Sequence, residues 1–248
     1  MATAAMLVIG DEVLSGRTRD ANGHHLAQKL TEIGVTLREM RVCPDEIDVI
    51  AGHVNALRAA YGYVFTSGGI GPTHDDVTAD AVARAFGATI GVREDARAIL
   101  AAYYADPAAL NEARLRMARI PEGASLILNP LSQAPGFRLD NVFVMAGVPA
   151  IFAAMLEGVL PTLAGGPPVL AWSFRVPLPE GDVATPLAAL AAAHPGVSVG
   201  SYPFFRGGLG TTLIARSADR AALAAAADAL RAMLAGLGAA AVAETPPA

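Results

Sequence analysis

The residues best placed to do chemistry form one run, Thr66-Ser67-Gly68-Gly69-Ile70-Gly71-Pro72-Thr73-His74-Asp75-Asp76. Gly68, Gly69 and Gly71 let a backbone turn tightly and approach a ligand closely. An apolar segment precedes the run and a helical pattern follows it. The loop therefore opens onto a helix N-terminus, whose unpaired N–H groups and positive dipole end favour an anion. Asp75 and Asp76 bring carboxylates to the same place. Carboxylates repel a bare phosphate, so the combination makes sense around a divalent cation such as Mg²⁺, Mn²⁺ or Co²⁺. One of the aspartates would equally serve as the cap of the following helix and leave the other for metal. The chain has a single lysine, Lys29, so the Gly-Lys-Ser/Thr of a Walker A loop is absent. A phosphate would have to be held by backbone N–H groups, a metal or arginine.

Other polar residues carry weaker patterns. His24 and His25 are adjacent, so they cannot share a helix face as His-x-x-x-His ligands do, and they read as surface or capping residues. His74 would touch a ligand or face solvent. Asn22 opens a helical pattern and would cap it or reach a ligand. Asn111 and Arg114 read as a solvated helix face. Arg206-Gly207-Gly208-Leu209-Gly210 has the composition of a second phosphate loop, but it joins two strand signals and reads as a flexible hairpin. Cys43 is the only cysteine, which excludes an internal disulfide and a cysteine zinc site and leaves a small buried thiol beside a strand end.

The elements that position the Gly-rich run alternate between strand and helix. Residues 5–9 form a short apolar run that ends at Gly10-Asp11-Glu12, the pattern of a buried parallel strand. Leu26, Leu30 and Ile33 repeat at helical spacing, and Gly34 closes that helix. A second strand is expected over 35–42. Pro44-Asp45-Glu46 starts a helix with Ile47, Ile50, Val54 and Leu57 on one face. Residues 63–66 form a third strand running into the loop, and 77–86 the helix behind it. Helices are expected over 94–104 and 107–119, then an irregular loop over 129–136 and a hairpin around Asp140-Asn141. A strand at 142–145 and a helix over 149–163, with proline in its first position, complete this part. Such an order implies an α/β fold with a largely parallel sheet covered on both faces.

Gly165-Gly166-Pro167-Pro168 is the best linker signal, and the expected domains are 1–165 and 169–243. Beyond the linker come a strand (170–176), a helix (183–193), two strands (197–202 and 211–215) and a long helix (218–234). They describe a small α+β layer of two helices on an antiparallel sheet, followed by a frayed tail over 244–248.

A chain of 248 residues, 53% hydrophobic and 17% charged, can build a sizeable core, although much of the apolar share is alanine. Its net charge of −5 leaves no electrostatic footprint for nucleic acid. Glu157 is the only charged residue between Val142 and Phe174, yet glycines and prolines punctuate that stretch. A buried strand, a tight turn and a core helix explain it better than a membrane span of about 20 residues. No basic segment precedes the first apolar run, so it makes a poor signal peptide. A cytoplasmic protein is expected.

The run from Thr66 to Thr78 reads T-S-G-G-I-G-P-T-H-D-D-V-T, and further segments accompany it. These are Ile9-Gly10-Asp11-Glu12-Val13-Leu14-Ser15-Gly16 with Asp20-Ala21-Asn22, Ala134-Pro135-Gly136, Gly147-Val148-Pro149, and Gly200-Ser201-Tyr202-Pro203. On these residues the chain resembles the molybdopterin-binding (molybdenum-cofactor biosynthesis, MogA/MoaB-like) domain family. Within that family it is similar to the CinA N-terminal type and to the N-terminal domain of some eukaryotic FAD synthases. The resemblance implies a three-layer α/β/α sandwich followed by a small α+β domain. It also implies catalytic roles for Asp76 and Asp45 and a divalent metal at Asp75 and Asp76. Nucleotide or phosphate contacts are implied for Ser67, Gly68, Gly69, Gly71, Thr73, Asn22, Pro135, Gly136 and Gly147.

The implied reaction is metal-dependent hydrolysis of a nucleotide pyrophosphate such as ADP-ribose. A molybdopterin- or nucleotide-binding protein of molybdenum-cofactor metabolism and a non-catalytic binding module are the alternatives. The ligand would be a small-molecule nucleotide or a pterin, with molybdopterin as a possible cofactor, and a homo-oligomer, such as a dimer, is implied. Ala146 departs from the usual Pro-Gly-Val-Pro turn, Ile151 stands where many relatives carry Glu, and Asp20 stands where Asn is frequent. The amidohydrolase domain of full-length CinA does not follow here, so nicotinamide-nucleotide deamidation is not expected.

Overall fold

The strand β1 (Thr3–Ile9) faces two cores: Ala5, Leu7 and Ile9 pack into one, and Ala4, Met6 and Val8 into the other. A strand buried on both faces needs helices above and below it, and three layers follow. In the computed structural model, which describes residues 2–104, 106–205 and 208–247, the chain divides into two compact units, Met1–Gly166 and Pro167–Ala248.

The first unit continues from β1 through α1 (Asp11–Leu14), α2 (Asn22–Glu32), β2 (Thr36–Cys43), α3 (Ile47–Ala60), β3 (Tyr63–Ser67) and α4 (Thr78–Phe86). It then runs through β4 (Ile90–Val92), α5 (Glu94–Tyr103), α6 (Glu112–Leu115), β5 (Arg119–Pro121), β6 (Ser125–Ile127), β7 (Gly136–Leu139), β8 (Val142–Met145) and α7 (Pro149–Val159). Its main sheet has the order β2-β1-β3-β8-β7-β6. The pairs β1–β2, β1–β3 and β3–β8 are parallel, and β8–β7 and β7–β6 are antiparallel. On one face Ile50, Val54 and Leu57 of α3 and Val82 of α4 meet Leu7 and Val64. On the other, Leu26 and Leu30 of α2 and Phe152, Met155 and Leu156 of α7 cover Met6, Phe65 and Phe143. Phe65 and Phe143 stack with centroids 5.1 Å apart. Full burial of each such side chain is worth about 1.5–3 kcal/mol.

The second unit holds β9 (Leu170–Val176), α8 (Glu180–Ala193), β10 (Ser198–Phe204), β11 (Gly210–Ser217), α9 (Arg220–Gly236) and β12 (Ala243–Thr245). Its sheet, β10-β11-β9-β12, is antiparallel throughout. Val183 and Leu187 of α8 and Leu223 and Leu230 of α9 share a core with Phe174 and Leu213. Among the described residues no helix is long and apolar enough to cross a membrane.

Two expectations from local pattern are corrected. A continuous helix over 107–119 does not form. A 3-10 turn is followed by α6, which Asn111 restarts by accepting the Arg114 N–H at 3.0 Å. After a second 3-10 turn, Arg116–Ala118, the chain extends into β5, antiparallel to β4. Arg119 is drawn there by a two-bond pair with Asp80 at 2.7 and 2.6 Å, and Ile120 is buried in the core. Those long-range partners outweigh helix propensity. Nor is the start of the tail loose: β12 adds an edge to the sheet through Thr245, and Glu244 accepts from Trp172 Nε1 at 2.8 Å and from Arg231 Nε at 3.3 Å, while Ala248 lies outside the described residues.

Candidate functional site

β3 ends at Ser67 between β1 and β8, so the glycine run leaves the sheet at the carboxyl ends of parallel strands, where ligand sites of α/β sheets lie. Gly68 and Gly69 have φ of 106° and 67°. A Cβ on Gly68 would sit 2.2 Å from the Ile9 carbonyl oxygen, and one on Gly69 would sit 2.1 Å from Thr78 Oγ1. Glycine is therefore required twice over, for the left-handed backbone and for the approach. Thr78 sews the loop to the first turn of α4: its hydroxyl donates to the Gly68 carbonyl at 3.0 Å and its N–H to the Gly69 carbonyl at 2.9 Å. The amide N–H groups of Gly69, Ile70 and Gly71 have no hydrogen-bond partner among the described residues. Consecutive unpaired N–H groups beside a helix start form a site for an anion.

Asp75 and Asp76 do different work. Neither caps α4, whose N-cap is Val77 with no side-chain bond. Asp76 Oδ2 accepts from Thr73 N at 2.8 Å and Thr73 Oγ1 at 2.6 Å, which closes the loop on itself. Asp75 is exposed, with His74 at 4.0 Å. Asp45, just beyond β2, accepts the Asp11 N–H on Oδ2 at 3.0 Å, and its Oδ1 faces Gly69. Burial raises the Asp45 carboxyl above the usual aspartate range, and the charges of Asp11, Glu12 and Asp75 raise it further against that hydrogen bond. Asp11 and Glu12 belong to this acidic corner without having been singled out for a role. Their signal was position, directly after the first parallel strand.

The acidic corner offers carboxylate oxygens, the donors a hard divalent cation takes, and a cation would relieve the charge crowding around Asp45. Among the described residues no group of three or more His, Cys, Asp or Glu side chains stands ready to hold a metal by itself. An ion bound here would complete its shell with ligand phosphate oxygens and water, the usual arrangement for Mg²⁺.

Beside the loop lies a cleft of about 360 Å³ bordered by Glu12, Gly69, Gly71, Asp76 and Gly147, with Ile70, Met117, Val148 and Ile151 as apolar wall. That volume suits a small organic ligand. Ala146 and Ile151, the departures noted above, both face it. Other expected ligand contacts are placed differently. Ser67 and Asn22 are 2% and 4% exposed and border a separate small cavity of about 50 Å³. Asn22 spends both Nδ2 protons on Ser67 Oγ at 2.7 Å and the Gly147 carbonyl at 2.8 Å, so it ties the loops together. The start of α2 is held instead by Asp20, which accepts from Asn22 N and Gly23 N, each at 3.1 Å. Gly136 is buried in β7, where a Cβ would sit 2.2 Å from the Val144 carbonyl oxygen, so strand packing accounts for it. Pro135 borders a crevice under the loop. In the other glycine-rich segment Arg206 and Gly207 lie outside the described residues.

A mixed sheet covered on both faces, with unpaired N–H groups and carboxylates at the ends of its parallel strands, defines an α/β domain with a candidate ligand site. Residues 5–165 match the family described as "Probable molybdopterin binding domain", and the chain belongs to that family. Residues 168–241 match the family described as "FAD synthase, middle domain". A CinA-like protein of Desulfosudis oleivorans is 38% identical over 209 residues, 79% of this chain and 51% of its own length. A "Probable FAD synthase" of Caenorhabditis elegans is 34% identical over 265 residues, 94% of this chain and 50% of its own. The chain thus spans about half the length of these relatives. The crystal structure of the protein CinA with unknown function from Thermoplasma acidophilum matches with a TM-score of 0.60 at 32% identity, covering 64% of this chain and 98% of that one.

Proposed function

We propose that the Met1–Gly166 unit binds a phosphate-bearing small molecule and hydrolyses a nucleotide pyrophosphate such as ADP-ribose with the help of a divalent cation. The observation that carries this reading is the run of unpaired N–H groups on Gly69, Ile70 and Gly71 at the rim of the cleft, with Glu12 and Asp76 on the same rim and Asp45 Oδ1 facing Gly69 from beside it. A bound cation, Mg²⁺, Mn²⁺ or Co²⁺, supplies charge neutralisation of the pyrophosphate and a more acidic water. Asp45 and Asp75 would hold it. The amides of Gly69–Gly71 take phosphate oxygens and the charge that develops on them. Asp76, with Oδ2 committed to Thr73, has Oδ1 left to orient the attacking water. Water adds across the P–O–P link, so ADP-ribose yields AMP and ribose 5-phosphate.

A second reading, binding of a molybdopterin or its nucleotide without hydrolysis, is favoured by the apolar wall of Ile70, Met117, Val148 and Ile151, which suits a flat ring. A turnover screen of ADP-ribose, FAD, NAD and diadenosine compounds with each metal tests the first reading. Turnover that disappears in Asp45→Asn is expected. Absence of turnover on every compound, with pterin fluorescence copurifying, moves the assignment to the second reading. Binding of an intact dinucleotide with neither turnover nor pterin leaves a non-catalytic module.

A further inference from the structure

We propose that Arg116 is the arginine that receives the ligand's phosphate, taking one anionic oxygen in a crevice behind the Gly69–Gly71 amides; this rests on the phosphate-binding reading above. Arg116 opens the 3-10 turn Arg116–Ala118 and sends its side chain under the loop. Its Nη2 donates to the Asp76 carbonyl at 3.2 Å. Its Nε is buried and has no hydrogen-bond partner. Among the described residues it makes no salt bridge.

Arg119 shows the contrast. It borders the same crevice, but its guanidinium is already matched in a two-bond pair with Asp80. Of these two cations, one is neutralised by a carboxylate in contact, whereas the other feels the Asp75 charge only through space and keeps a desolvated donor. A buried charged donor without an acceptor is costly, and in native proteins it marks a place that a ligand or water completes.

The shape of the crevice says what fits. It has about 10 Å³ of free space, room for one oxygen-sized atom, and it adjoins the larger cleft at Gly69, Ile70, Gly71 and Asp76. A phosphate seated on the three amides would place one oxygen at the mouth of this space. The guanidinium donors there form charge-assisted bonds to that oxygen. Arg116 also offsets the repulsion that Glu12 and Asp76 exert on an anion in the cleft. The restart of the chain at Asn111 and the extension of Arg119 into β5 together fix where Arg116 stands, so the broken helix serves the site.

The test measures binding of pyrophosphate, AMP and adenosine in EDTA by titration calorimetry, so that metal plays no part. Arg116→Gln is expected to weaken pyrophosphate and AMP by about tenfold or more while sparing adenosine. Arg116→Lys should recover part of the loss. Arg97→Gln, the same charge change on the outer face of α5, should change nothing. Losses below about twofold, equal losses for adenosine, equal losses in Arg97→Gln, or no phosphate binding by the wild type overturn the proposal. Should the Gln variant melt early, phenylglyoxal modification of the wild-type protein, read by peptide mass, decides: pyrophosphate must slow modification at Arg116. Loss of pyrophosphate binding in Arg116→Gln with no hydrolysis of any dinucleotide supports this role and sinks the hydrolase reading. Hydrolysis that Arg116→Gln leaves intact, with binding intact, does the reverse.

Discussion

Two glycine-rich loops share a composition and little else. The loop after β3 leaves a parallel strand, presents unpaired N–H groups, and is flanked by Asp45, Asp75 and a cleft of about 360 Å³. The loop between β10 and β11 joins antiparallel neighbours. Its Gly210 is there because a Cβ would sit 2.3 Å from the Val176 carbonyl oxygen, and its Gly208 because φ is 111°. In both loops glycine reports backbone strain or close packing. Among the described residues, free donors, carboxylates and a cavity converge only in the first, and that convergence makes a candidate site.

The comparison can be broken or sharpened by substitution, and the largest expected effect lies at Asp45. Asp45→Asn should lower any metal-dependent turnover by about a hundredfold or more. The sign of its effect on stability is opposite. Because burial and neighbouring acids raise the Asp45 carboxyl, its ionisation costs the folded state stability as pH rises from the ordinary aspartate value through the raised one. Metal-free Asp45→Asn should therefore melt higher than wild type at neutral pH, with the advantage fading in acid; an equal or lower melting point there refutes the placement of Asp45 in an acidic corner.

Next come the glycines. Gly69→Ala meets both a positive φ and Thr78 Oγ1, and should cost about 2–3 kcal/mol and abolish phosphate binding. Gly208→Ala has open space around it and only the φ to fight, so about 1 kcal/mol and unchanged binding are expected. Denaturant titration followed by circular dichroism, with Trp172 fluorescence reporting on the second unit, separates the two. Comparable losses of binding would erase the distinction between the loops.

Smaller effects follow in the second unit and at the strand end. Arg231 holds the Glu244 carboxyl below the usual glutamate range against the cost of burial, and Trp172 assists. Their contribution is present above the ordinary glutamate pKa and lost as pH falls through the depressed one. Acid should red-shift Trp172 emission in the wild type, while Glu244→Gln should show the shifted emission already at neutral pH. Burial, with the Asp45 charge behind it, pushes the Cys43 thiol up to about 12. Thiol reagents should leave Cys43 unlabelled until denaturant unfolds the first unit, and rapid labelling of native protein would contradict this.

Much of the site was legible because its parts are local. Glycine where the backbone must turn, aspartates beyond a strand and apolar periods of two and 3.6 are properties of short stretches, and they placed β1 to α4 and the loop between them. Short-range pattern failed where distant partners decide. Asp80 draws Arg119 out of a helix, and Trp172 and Arg231 pin a tail that composition alone would leave loose.

By itself the chain's order of residues determined the layered α/β scaffold, the position of the loop after β3 and the need for glycine in it. Only the tertiary structure decided that Asn22 and Ser67 lie buried as braces, that Asp76 turns back onto Thr73, that Asp11, Glu12 and Asp75 crowd Asp45, and that Arg116 reaches beneath the loop. The physical reason is range. Backbone conformation follows from neighbours along the chain, whereas burial, hydrogen-bond partners and local charge depend on residues that folding brings together from far apart in sequence.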